Sequence, residues 1–362
     1  MMEPDIVGSQ KGMWWAAIGA FCFLMMIAAC HKEEGRSPSD DQGKPPRNAQ
    51  GPLSHGAQAM GPPPITFGDK FYDVAAPDKD HVWVVGYFGA ITHSSDGGKT
   101  WSRQQAGTFQ ALTGVSFVSE KEGWIVGDQG TILHTKDGGN HWEKQKSPVT
   151  DQKLLKVQFL NDREGFCVGT FGTVLHTVDG GSTWEKLPFQ EDVILNDLVF
   201  LNPREGWIAG EFETILHTVD GGKTFQKQRR DQLGKLFGIA FKDEKRGVAV
   251  GTAGKILVTS DGGRSWQETK SNTEDSLLKV RFLDSRLMAV GLRGAVVQSS
   301  DNGQTWSPLI IPGHYSWLSG LAFFNNGGFL VGNEGKILAS HDAGKTWSRL
   351  GLPPFMGAVG KE

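Results

Sequence analysis

The chain is poor in cysteine and tyrosine and has no surplus of positive charge. Three Cys stand among 362 residues. Cys22 falls in an apolar leader and Cys167 in an expected buried strand, so no intrachain disulfide framework is available. A formal net charge of -3 removes the basic excess that would point to nucleic acid. No Gly-rich loop opens a helix, so no phosphate cradle is expected. A long apolar run occurs once, from Met13 to Ala29, and it is just under typical spanning length.

What the chain has in abundance is a phrase. His176-Thr177-Val178-Asp179-Gly180-Gly181-Ser182-Thr183-Trp184 recurs seven times, with the other copies ending at Trp101, Trp142, Phe225, Trp266, Trp306 and Trp347. Successive ends lie 41, 42, 41, 41, 40 and 41 residues apart, the mark of a repeat architecture. Asp96, Asp137, Asp179, Asp220 and Asp261 keep Asp-Gly-Gly, whereas Asp301-Asn302-Gly303 and Asp342-Ala343-Gly344 are degraded. An Asp before two glycines suits a tight turn, because its carboxylate accepts backbone N–H groups and Gly supplies positive φ. The phrase is an Asp-box, a hairpin staple that occurs in sialidases, sortilin-like receptors and many propellers.

Three further segments complete each repeat. An alternating strand such as Leu154-Leu155-Lys156-Val157-Gln158-Phe159 comes first, then an apolar strand ending in Gly, such as Gly123-Trp124-Ile125-Val126-Gly127. A Gly-x-x-Gly turn leads to a third strand running into the Asp-box, and a fourth strand starts at the Trp. Four short strands repeated seven times predict an all-β fold, a seven-bladed β-propeller of four-stranded blades with Asp-box hairpins. The blades are set at about 71–108, 112–150, 154–191, 195–233, 236–274, 277–313 and 318–355. Each is expected to own its four strands, and Pro64-Ile65-Thr66-Phe67 to lie against blade seven.

The remaining organisation is a leader at 1–29, a Pro/Gly-rich tether at 30–64, the propeller at 65–355 and a tail at 356–362. Ile27-Ala28-Ala29-Cys30 resembles a bacterial lipobox, which makes Cys30 the expected lipidation site of an envelope protein facing the periplasm. An uncleaved signal anchor is the alternative. His31 after Cys30 favours the outer membrane by resemblance to enteric sorting rules. The polar tether cannot bury a core.

The seven Asp-box carboxylates belong to the outer part of a ring and cannot pair across the roughly 5–10 Å that glycosidases need. His93, His134, His176 and His217, one per blade, cannot converge on a metal. A sialidase-like enzyme would add a Tyr nucleophile and an Arg-Ile-Pro start, yet only Tyr72, Tyr87 and Tyr315 are present and that start is missing. No catalytic residue, cofactor or metal is expected.

The repeated Gly-Trp-x-Val/Ala-Gly, Gly-x-x-Gly-x-Ile-Leu and Thr-x-Asp-Gly-Gly-x-Thr-Trp, as in Gly123 to Trp142, resemble the photosystem II stability/assembly factor family of chloroplasts and cyanobacteria. The resemblance covers all seven repeats. It implies a non-enzymatic propeller that docks a membrane protein during assembly, and a lipobox-like Cys30 is similar to cyanobacterial members.

The middle residues of the seven turns between second and third strands vary on a fixed frame: Tyr87-Phe88, Asp128-Gln129, Thr170-Phe171, Glu211-Phe212, Thr252-Ala253, Leu292-Arg293 and Asn333-Glu334. By analogy with other propellers this face carries function. Blade connections are expected to bring Arg229, Arg230, His314, Tyr315 and Trp317 to it. Tyr87, Phe88, Phe171, Phe212, Arg229, Arg230, Arg293, Tyr315 and Trp317 are therefore the candidate partner-binding residues, and a protein is the expected partner of a monomeric propeller. Two alternatives stay open: the rings cap the channel by packing on one another, or they stack sugars in a glycan-binding or sialidase-like propeller.

Overall fold

The computed structural model describes residues 65–350 except 231, 232, 284, 285 and 314. The leader, Cys30, the tether to residue 64, His314 and the tail lie outside the described residues. The chain divides into two units, 1–59 and 60–362, and the described residues all belong to the second.

Seven four-stranded antiparallel sheets are present, each with its strands in consecutive order. In the first blade these are Phe71–Ala75, Val82–Gly86, Ile91–Ser94 and Ser102–Gln104. The first strand of each blade packs on the first strands of both neighbouring blades, closing a ring. Second strands such as Gly123–Gly127 are buried along their whole length, and fourth strands such as Glu143–Lys144 are exposed. That gradient explains the sequence: continuous apolar runs where both faces meet neighbouring blades, polar residues at the rim.

Among the described residues no strand is exchanged between first and last blades; packing closes the ring. Ile65 is buried with Phe71, Val84, Phe329 and Val331, and the Asp69 carbonyl accepts the Gly335 N–H at 2.8 Å. The short segment ahead of the first strand therefore seals the seam between blades seven and one.

The Asp-box network recurs in all seven blades. In blade three, Thr177 Oγ1 donates to Asp179 Oδ1 at 2.9 Å and accepts from the Gly181 N–H at 2.9 Å. Asp179 also accepts the Thr183 N–H at 2.9 Å and the Thr183 hydroxyl at 2.7 Å. In blade two His141 Nδ1 stands in for that last hydroxyl, 2.6 Å from Asp137. The degraded copies keep every bond, through Ser299, Asp301 and Thr305 and through Ser340, Asp342 and Thr346. Asn302 and Ala343 simply take the left-handed φ, 57° and 59°, that glycine holds elsewhere. The hydrogen bonds hold the carboxyls of Asp96, Asp137, Asp220, Asp261 and Asp301 down at about 2.

The box is also a latch between blades. The Gly138 carbonyl of blade two accepts from the Trp83 indole at 3.3 Å and Gln104 at 2.7 Å of blade one. Trp124 with Gln145, and Trp207 with Gln228, grip Gly180 and Gly262 in the same way. Each of these three Trp also lies between a His of its own blade and a Phe of the next, as in Trp124 with His134 at 4.6 Å and Phe159 at 3.5 Å between ring centroids. His134, His176 and His217 each face a Glu of the same blade, at 3.2, 2.6 and 3.2 Å. In blade one that acceptor is replaced by His81, and burial, with His81 adding to it, pushes His93 down to about 4.

Inside the ring, charge crosses whole blades. Lys156 of blade three reaches Asp73 of blade one at 2.5 Å, and Asp73 also accepts the Val115 N–H of blade two at 3.1 Å. Lys279, Asp197 and the Ile239 N–H repeat this across blades four to six, at 3.1 and 3.2 Å. The middle blade carries glycine at the crossing, Gly114 or Gly238, where a Cβ would press on the backbone of the following strand. The innermost ring is thus built on a duplicated three-blade staple, with the seventh blade outside it.

Candidate functional site: the turn-tip face

The turns between second and third strands share one backbone. Their second middle residue is left-handed in every blade: Phe88, Gln129, Phe171, Phe212, Ala253, Arg293 and Glu334 have φ from 50° to 60°. The residue after it is also left-handed and is Gly in six blades. At Gly89, Gly130, Gly172, Gly254 and Gly335 a Cβ would collide with a backbone carbonyl of the neighbouring connection, so those glycines are sterically required. Blade four departs from the Gly-x-x-Gly pattern, because its last position is Glu213, at φ 48°.

Glu213 is 1% exposed. Arg229 donates to it from Nε and Nη2 at 3.0 and 2.7 Å, and Lys255 at 2.5 Å. The connection opposite meets it with Gly234, whose carbonyl accepts the Glu213 N–H at 2.9 Å. Arg229 itself ends the fourth strand Gln226–Arg229, not a connection, and its guanidinium is spent on this pair. Arg230, 47% exposed at the side chain, is bound to Glu191 at 2.7 Å and lies over the Phe212 ring. Arg293 pairs with Asp275. These three arginines are thus already met by carboxylates of the chain.

The apolar groups are plainly placed. Among the described residues eleven large hydrophobics are exposed, and nine of them lie on the turn tips or the connections beside them: Phe67, Tyr87, Phe88, Phe109, Phe171, Phe212, Leu233, Ile310 and Tyr315. Val178 and Val219 occupy the Asp-box side. Tyr87, Phe88 and Phe109 form one patch, with centroid separations of 5.9 and 5.2 Å. Phe171 borders a groove of about 440 Å³ with Pro188 and Phe189. Trp317 is half-buried and stacks on Tyr72 at 5.8 Å. Among the described residues Phe171 and Phe212 make no ring contact with each other or with Phe88, so these rings do not cap the channel as one packed cluster.

Phe109 and Leu233 share a repeat position, eight residues past Trp101 and Phe225, but other blades hold Thr150, Asp192 and Glu274 there, so periodicity reveals them only weakly. Their signal is a lone large apolar residue in a polar connection, as in Gly107-Thr108-Phe109-Gln110. Among the described residues one group of possible metal ligands, Asp78, His81 and Glu120, places its ligand atoms within 4.8 Å of one another. It lies on the Asp-box side, and Asp78 already accepts from the N–H groups of Asp80 and His81 and meets His81 Nδ1. These bonds account for the group as an ordinary turn.

Fold and face together define a seven-bladed Asp-box propeller with a repeated frame and a face of variable turn tips that carries exposed aromatic rings. The family model for the photosynthesis system II assembly factor YCF48 matches residues 64–148, 106–193, 142–233, 231–312 and 269–357. The chain belongs to that family. Among solved structures, YCF48 bound to a D1 peptide is 23% identical, with a TM-score of 0.65 over 76% of this chain and 92% of that one. YCF48 from Cyanidioschyzon merolae is 21% identical, with a TM-score of 0.64 over 77% and 97%. A GH74 xyloglucanase from Xanthomonas campestris, 13% identical, gives a TM-score of 0.64 over 78% of this chain and 53% of its own. These structural likenesses establish the fold. No curated protein sequence matches the chain.

Proposed function

We propose that the chain is a non-enzymatic assembly factor whose turn-tip face holds a segment of a membrane-protein partner. One observation carries the reading. Three of the seven turns hold Phe in a left-handed conformation that bulky residues avoid, with the rings 63%, 58% and 38% exposed. Folding gains nothing from a strained backbone that presents a wet ring. A partner that covers the rings gives the arrangement a use, since aromatic anchors dominate interface energies. The related propeller that carries a D1 peptide supports a polypeptide as the occupant.

Lipidation at Cys30 would keep the propeller at a membrane, on the periplasmic side and with the outer membrane favoured, the 30–64 tether setting its reach. Cys30→Ser is expected to move the protein out of the membrane fraction or to leave its precursor uncleaved. An intact leader in the mass spectrum of the normal protein would contradict this arm.

The partner arm is tested by crosslinking in intact cells, followed by recovery through the full chain. Recovery of one membrane protein by the normal chain and its loss from Phe171→Ala combined with Phe212→Ala is the expected result. Saturable binding of a glycan to the purified chain, with no protein recovered, would replace this function by glycan recognition.

A further inference from the structure

The central channel has a second half that the turn-tip face does not use. Past the Asp73–Lys156 and Asp197–Lys279 staples, towards the Asp-box side, the innermost strands of all seven blades enclose a cavity of about 390 Å³, at the low end of ligand pockets. The only charged groups lining it among the described residues are Lys156 and Arg281.

Arg281 stands apart from its repeat equivalents. Six repeat positions are equivalent to it: Ala75, Ser116, Gln158, Val199, Ala240 and Ala322. None of those is charged. The two polar ones turn sideways to the next blade, Ser116 accepting the Phe159 N–H at 3.0 Å and Gln158 bonding the Phe200 backbone at 2.9 and 2.8 Å. Arg281 does not. Its Nη1 donates to the Val280 carbonyl at 2.9 Å and lies 3.6 Å from Asp197. Asp197 is already engaged by Lys279 and the Ile239 N–H, the same pair of contacts that Asp73 receives in the first staple, where no arginine stands within ion-pair distance among the described residues.

Each staple pairs one carboxylate with one ammonium, so Arg281 leaves the channel one positive charge in excess. A guanidinium carries five N–H donors, and among the described residues only one of these has an acceptor within hydrogen-bond range. The walls around it are mixed, with Val199, Ala240 and Phe241 beside Ser116 and Gln158. A planar, forked cation in a small chamber whose walls are partly aliphatic and aromatic matches a carboxylate that carries a short apolar body.

We propose that this half of the channel is a binding site for a small aliphatic carboxylate, its anionic end on Arg281 and its hydrocarbon against the innermost strands. The site is at the opposite end of the channel from the aromatic face and independent of the partner that covers that face.

Titration of the full-length protein with hexanoate, followed by calorimetry and by melting temperature, tests it. Hexanamide serves as the uncharged match, and Arg281→Gln as the variant that copies blade three. Hexanoate is expected to bind saturably and raise the melting temperature. The amide should bind at least tenfold more weakly, and R281Q should lose at least tenfold in hexanoate affinity while melting normally without ligand. If R281Q fails to fold, the acid–amide comparison in the normal protein still decides. Equal binding of acid and amide, unchanged affinity in R281Q, or no binding of hexanoate overturns the proposal.

Discussion

The two faces of the propeller are built from the same seven repeats but use them in opposite ways. On the Asp-box face the side chains repeat, and each copy places the same carboxylate, hydroxyl and glycine N–H in the same bonds, even where the signature has decayed at Asp301 and Asp342. On the turn-tip face only the backbone repeats. Seven second middle residues share one left-handed conformation while their side chains run from Ala253 to Arg293 to Phe171. Where the chemistry is copied, each side chain satisfies its own turn. Where only the geometry is copied, the frame leaves the side chains free to differ.

The largest effect expected from this contrast is on acid stability, and it belongs to the Asp-box face. The carboxyls of Asp96, Asp137, Asp220, Asp261 and Asp301 sit at about 2 in the folded chain against an ordinary 3.8. Groups depressed by folding add stability that is fully present above the ordinary value and is lost as pH falls through the folded one. The melting temperature should therefore drop steeply between about pH 4 and pH 2; a flat profile there would deny that the boxes are staples.

On the other face, Phe88→Ala with Phe109→Ala removes the contiguous patch. Partner capture should fall at least tenfold, since truncated anchors cost about 2 kcal/mol or more, with no change in melting temperature. Early melting with normal capture would make this patch a packing element like its counterpart.

Thr177→Val is the converse probe. It keeps the shape of a buried residue but strands the Gly181 N–H, at a cost of about 1–2 kcal/mol in denaturant unfolding, and should leave capture intact. The smallest effect is a gain. Ala343 holds a φ of 59° where five other boxes have glycine, so Ala343→Gly should stabilise the seventh blade by about 1 kcal/mol. A loss of stability would show that the last box tolerates its substitution by another route.

The ring was readable because its signal is periodic. Trp83, Trp124 and Trp207 share a repeat position and are all fully buried, as a shared position in a core strand requires. The charged staples were not readable in the same way. Lys156 and Asp73 lie 83 residues apart and Lys279 and Asp197 82, so the pairing exists only once the innermost strands have been set around a common axis. Glu213 hid inside a pattern that glycine fills elsewhere, and Gly234 in the facing connection makes room for it. Phe88, Phe171 and Phe212 stood out because a tight turn needs no ring. Phe109 did not, since its repeat position is filled by polar residues such as Thr150, Asp192 and Glu274 in other blades. Arg229 reads as a surface cation until its carboxylate is seen beneath it.

Whether the turn-tip face or the Asp-box face meets the partner is decided most directly by photo-crosslinking. Benzoylphenylalanine is placed at Phe88 in one variant and at Val178, exposed on the opposite face, in another. Irradiation of intact cells should yield a discrete adduct with the same membrane protein whenever Phe88 is the labelled site, and none from Val178. An adduct from Val178 alone, or equal adducts from both positions, would contradict a partner held on the turn tips.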